Sequence, residues 1–125
     1  MSPRFVSRSP LLRRARRGFR GYPVATVAWY GPDDQHATKV VVSIVASENA
    51  EPDPLERWIV AEGDVRWDHG IQHALLGFLA RHGAKSVVIA DGLLGCPHEE
   101  GIDYPLDAVC PLCPFWAARD RWTPA

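Results

Sequence analysis

The residues best equipped for chemistry gather near one end of the chain. Cys96-Pro97-His98 and Cys110-Pro111-Leu112-Cys113 contain every cysteine in the protein, with eleven residues between His98 and Cys110. A Cys-x-His pair and a Cys-x-x-Cys pair can each wrap one side of an ion. Together they offer three thiolates and an imidazole, a tetrahedral donor set of the kind zinc prefers. Prolines 97, 111 and 114 stiffen the ligand turns and reduce the entropy lost on binding. The expected metal ligands are therefore Cys96, His98, Cys110 and Cys113. If one of them is replaced it is His98, by Asp91, Glu99, Glu100, Asp103 or Asp107. Read without a metal, the same residues are three small buried hydrophobes and a surface histidine.

Two catalytic patterns overlap this cluster. His98-Glu99-Glu100 followed by Cys110-Pro111-Leu112-Cys113 resembles the zinc deaminase signature, H-x-E then P-C-x-x-C. That resemblance would make His98, Cys110 and Cys113 ligands and Glu100 the acid/base. Val109 stands where the signature has proline, and nine residues after Glu100 are too few for the strand that separates the two motifs in that family. Cys96 would also supply a fourth ligand, closing the ion to water. Cys110-Pro111-Leu112-Cys113 also resembles a thioredoxin-type dithiol, but that fold carries its CxxC after the first long strand and not near the chain end. No catalytic residue is assigned on these grounds, and the reading leans away from an enzyme. Asp91-Gly92 follows a predicted strand, where α/β sheets place ligand groups, although an Asp-Gly turn is the plainer reading. His69 and His73 stand four apart on a predicted helix with no carboxylate partner on that face, and read as solvated.

Charge divides the chain sharply. Residues 1–21 hold seven arginines (4, 8, 13, 14, 16, 17 and 20) and no acid, while the remainder sets seven bases against fifteen acids. A +7 arm thus precedes a −8 body. Such a block is expected to be disordered and to engage nucleic acid or an acidic surface, or to serve targeting; an inert arm or an upstream start codon are the bland alternatives. Its only apolar pairs are Phe5-Val6 and Leu11-Leu12, too short for a signal-peptide core, and no apolar run could span a bilayer. Three cysteines in metal-ligand spacing fit a reducing compartment, so the expected location is cytoplasmic.

The elements that must position the cluster follow from periodicity. Val24–Tyr30 is rich in β-branched and aromatic residues and predicts a strand, with Gly31-Pro32-Asp33-Asp34 as a turn. Thr38–Ala46 predicts a second strand, apolar on both faces and hence central, paired with the first as an antiparallel hairpin. After a Pro-punctuated loop over 47–54, Leu55–Val60 predicts a third strand. His69–His82 predicts a helix: Asp68 is a good N-cap, Ile71, Ala74, Leu75, Phe78 and Leu79 form one apolar stripe, and Gly83 suits the C′ position. Ser86–Ala90 predicts a short strand parallel to its neighbour, and Phe115–Trp122 one or two helical turns. The expected fold class is α+β: an antiparallel hairpin plus third strand, one packed helix, a fourth strand, and a C-terminal zinc-stabilised loop module over 91–125. With 125 residues this is a single domain, 22–125, behind the arm. The strand and helix order resembles the opening of ribonuclease-H-like domains, but without the further strand, helix and acid cluster of such enzymes it implies the layered topology alone.

The run Gly95–Pro105, GCPHEEGIDYP, together with Cys110–Trp116, CPLCPFW, resembles a group of small bacterial proteins of uncharacterised function; Tyr22–Val27 and Tyr30–Asp33 resemble the same group. The likeness spans about residues 22–122, leaves the arm outside and brings no activity. The function expected is that of a non-enzymatic zinc-stabilised binding protein or accessory subunit of a larger assembly. Its partner would be a protein, with nucleic acid contacted through the arm. The alternative is a zinc-dependent deaminase-like or other hydrolase using His98, Glu100, Cys110 and Cys113.

Overall fold

A computed structural model describes residues 10–99, 102–106 and 110–117. Four strands form one mixed sheet: β1 (Val24–Tyr30), β2 (Lys39–Val45), β3 (Leu55–Ile59) and β4 (Ser86–Leu93), in the order β3-β2-β1-β4. β1 and β2 pair antiparallel from Val24↔Val45 to Tyr30↔Lys39, and β3 adds antiparallel to β2 from Lys39↔Ile59 to Ser43↔Leu55. β2 is therefore interior, as its two-sided apolar pattern predicts. β4 runs parallel to β1, because the helix between β3 and β4 carries the chain across the sheet before it re-enters.

That helix, α2 (His69–Arg81), forms where its sequence says it should. The Asp68 carboxylate accepts the Ile71 N–H at 2.9 Å, satisfying a free first-turn donor. At the other end Gly83 takes φ +63°, its N–H reaches the Ala80 carbonyl, and the Ala84 N–H reaches Leu79. This pair of bonds is a Schellman stop, which needs the left-handed conformation that glycine adopts without strain. Leu75, Phe78 and Leu79 enter the core and Ile71 packs at its margin; Ala74, predicted for the same stripe, lies exposed.

The core fills the space between α2 and one face of the sheet. Ala25, Val27 and Trp29 from β1 and Val40, Val42 and Ile44 from β2 alternate into it, as period-two geometry requires. The opposite face carries Tyr30, Lys39, Val41, Ser43, Leu55 and Arg57. There Thr26 Oγ1 and Ser43 Oγ pair across the strands at 2.5 Å. Asp64 ties the β1–β2 loop to the segment entering α2. Its carboxylate accepts the Ala37 N–H at 2.9 Å and two guanidinium N–H groups of Arg66. Burial works to raise its pKa, and these donors outweigh burial and hold it below the usual carboxylate value.

The basic arm departs from expectation. Pro10–Arg16 forms a helix, α1, packed beside β4, and Leu11 is only 2% exposed within the core. Ala15, one turn on, packs against the same cluster, and the Arg14 guanidinium donates to the Ala84 carbonyl at 2.6 Å. The Arg20 N–H then reaches Ser86 Oγ, which itself donates to the Gly21 carbonyl. A disordered arm is thus the wrong reading for residues 10–21. Arginine is a good helix former, and one leucine fixed by tertiary contact is too little periodicity to read. Residues 1–9, with Arg4 and Arg8, lie outside the described residues. Among the described residues, no helix is long and apolar enough to cross a membrane.

Candidate metal centre

The C-terminal segment is led to the hairpin end by continued pairing with β1. β4 runs past its predicted end at Ala90 to Leu93, so Asp91-Gly92 is neither a turn nor a strand terminus. Those residues fall where the β1–β4 register shifts, between Ile89↔Val27 and Leu93↔Trp29, and Gly92 takes φ +83°. The Leu94 N–H then reaches the Trp29 carbonyl, and the Gly31 N–H reaches the Gly95 carbonyl at 2.9 Å. Cys96 is delivered directly beside the β1–β2 loop.

Gly31 anchors both ligand pairs. Its N–H holds Gly95, just before Cys96, while its carbonyl accepts Trp116 Nε1 at 2.7 Å, just after Cys113. A Cβ here would stand 1.7 Å from the His36 carbonyl oxygen and 2.6 Å from a Leu93 methyl, so only glycine fits. The Trp116 bond comes from α3 (Pro114–Ala117), which begins immediately after the Cys-x-x-Cys; its expected continuation to Trp122 lies outside the described residues. A third anchor is Lys39, whose ammonium donates to the Pro97 carbonyl at 3.0 Å.

The four predicted ligands converge. His98 Nδ1 lies 3.2 Å from Cys96 Sγ, 3.4 Å from Cys110 Sγ and 3.5 Å from Cys113 Sγ, and all four donor atoms fall within 4.8 Å of one another. A tetrahedral ion with bonds of about 2.3 Å to sulfur and about 2.0 Å to nitrogen would separate its nitrogen from each sulfur by roughly 3.5 Å. The group therefore has the size of a coordination shell. The His98 N–H also donates to Cys96 Sγ at 3.3 Å, an arrangement that favours a thiolate there. All three cysteines are buried, with Tyr104 and Trp116 packed against them. Burial pushes the Cys96 thiol well above its ordinary value despite that N–H. Burial first, with Cys110 adding to it and the Cys96 contact working against it, raises Cys113 too. A bound cation reverses this preference, since it stabilises the thiolates that burial alone disfavours. These four residues can hold a metal ion.

Of the substitutes for His98, the two that are described, Glu99 and Asp103, are not drawn in. The Glu99 carboxylate faces Lys39 and Arg57, at 3.8 and 3.5 Å, and the Asp103 carboxylate accepts the Glu99 N–H at 2.7 Å. Glu100 and Asp107 lie outside the described residues, and the Asp91 side chain does too. His69 and His73 stand exposed on α2; among the described residues, Cys96, His98, Cys110 and Cys113 are the one group of three or more such side chains close enough to share an ion. Sequence reasoning missed Gly31 and Lys39. Gly31 was legible as a turn residue, but its role as a clamp depends on segments far along the chain. Lys39 carried a faint signal, a lysine opening an otherwise apolar central strand.

Comparison with protein-family models, with curated proteins and with solved structures returned no match.

Proposed function

We infer that residues 94–117 form a structural zinc module and that the protein is a non-enzymatic binding protein or accessory subunit of a larger assembly. One observation carries this reading: four protein donors, three sulfurs and a nitrogen, already converge to coordination distance in a buried cluster. Three thiolates and an imidazole favour zinc over harder cations. Bound there, the ion would cross-link the two ligand pairs and fix the loop between them. A shell filled by protein leaves no position for a substrate water, which argues against the deaminase-like alternative. The exposed Arg16, Arg17 and Arg20 beside α1 are the surface offered to nucleic acid or to an acidic partner.

The test is metal analysis of the gently purified chain, with X-ray absorption to count sulfur and nitrogen neighbours. About one zinc per chain with three sulfurs and one nitrogen is expected. A chain free of zinc, iron and other transition metals would remove the reading. A shell holding a water beside the protein ligands would shift it toward catalysis.

A further inference from the structure

The sheet face opposite α2 meets the metal loop in a cavity of about 360 Å³, walled by Tyr30, Val41, Leu55, Lys39, Arg57 and Glu99 among others. We propose that this cavity is an oxyanion site: it takes the carboxylate or phosphate headgroup of a small ligand between Lys39 and Arg57, with Glu99 as the chain's own stand-in for that headgroup. The proposal rests on the zinc reading in one respect, because the metal would fix the loop that carries Pro97 and Glu99.

Lys39 sits in the interior strand with its side chain only 6% exposed. An ammonium withdrawn from water needs strong acceptors to replace its hydration. Among the described residues it has one good one, the Pro97 carbonyl at 3.0 Å, and its charge lies 5.9 Å from the centre of the Tyr30 ring. Its nearest carboxylate oxygen, Glu99 Oε2, is 3.8 Å away, and the Arg57 guanidinium is 3.5 Å from Glu99 Oε1. Charge-assisted hydrogen bonds close to about 2.7–2.9 Å. Glu99 therefore spans two cations without bonding tightly to either, and it is one-third exposed on a loop while both cations stand on adjacent strands.

The cations are the fixed part of this arrangement. Val41 pairs with Arg57 and Lys39 with Ile59, so Lys39 and Arg57 are diagonal neighbours on one sheet face. An oxyanion with two or three oxygens can reach both, and Val41 and Leu55 offer an apolar wall for a short carbon skeleton. The volume lies near the small end of ligand pockets, roughly 300–1,000 Å³. Ligand entry exchanges the Glu99 carboxylate for another anion, so the two cations stay neutralised as Glu99 swings toward water.

The experiment is calorimetric titration of the metal-loaded full chain with inorganic phosphate and, separately, with succinate. Glu99→Gln removes the tethered competitor and is expected to tighten binding about tenfold. Arg57→Gln is expected to weaken it about tenfold. Arg16→Gln on α1 is expected to change nothing, and whichever anion binds more tightly identifies the headgroup. Zinc content is measured on every variant, so loss of metal is read apart from loss of anion binding. The proposal is overturned if neither anion binds even to Glu99→Gln, if Glu99→Gln weakens binding, or if Arg16→Gln matters as much as Arg57→Gln. Tight anion binding by a chain that holds no metal would sustain the site and remove the zinc reading instead.

Discussion

The sheet with its helices and the C-terminal module are ordered by different physics. Between α2 and the sheet, buried residues from both hairpin strands, α1, α2 and β4 form one continuous apolar cluster. The module's buried cluster is three cysteines, with Tyr104 and Trp116 partly covering them, while Ile102, Leu106 and Leu112 are each more than two-thirds exposed. Removal of apolar area from water, at about 25 cal/mol per Å², can hold the first region. It can do less for the second, where the aliphatic side chains Ile102, Leu106 and Leu112 remain wet. There a metal would do what burial does elsewhere, beside ties that include Gly31, Trp116 and Lys39. The two regions should therefore fail separately.

The largest effect is expected from the module. Cys113→Ser removes the most buried ligand, at 1% exposure. Structural zinc contributes on the order of 10 kcal/mol to the folding of small sites, and a hydroxyl is a poor replacement for a thiolate. Hydrogen exchange should show residues 94–117 opening early while β1 and β2 keep their protection. If instead the whole chain loses protection together, the two regions are one cooperative unit and the contrast between them is wrong.

How much of this was legible in the sequence depended on how local each cause is. The α2 boundaries could be read because Asp68 and Gly83 act within a few residues of themselves. β1 and β2 could be read because alternation is a property of the strand alone. The convergent Cys/His group was legible for the same reason: Cys-x-His and Cys-x-x-Cys are short-range pairs whose spacing survives without a fold. What stayed hidden was set by distant partners. α1 is fixed by Leu11 reaching a core made of later residues. Lys39, Arg57 and Glu99 meet only because β2, β3 and the metal loop come together.

A middle-sized effect tests the other side of the comparison. Leu11→Ala removes a core side chain contributed by the segment expected to be a loose arm. Such truncations cost about 2–4 kcal/mol where the cavity cannot collapse. The melting temperature should fall by several degrees, while zinc content stays at the wild-type level. An unchanged melting temperature would restore the arm to an accessory outside the core.

The smallest expected effect probes the seam between the two regions. Trp116 Nε1 donates to the Gly31 carbonyl at 2.7 Å, and the same ring covers the buried cysteines. Trp116→Phe keeps an aromatic cover but has no donor, which leaves that carbonyl without this bond. Losing one such hydrogen bond costs about 1 kcal/mol. Because Gly31 also holds Gly95 through its N–H, the loss falls on the clamp that brings the two ligand pairs together. The expected signature is a several-fold faster release of zinc to a chelator, with global melting nearly unchanged. A variant that melts early yet holds zinc as firmly as the parent would place Trp116 in the sheet's stability and not in the module's. A variant altered in neither would mean that the thiolates and imidazole suffice to close the module, and that the seam to the hairpin is incidental to metal retention.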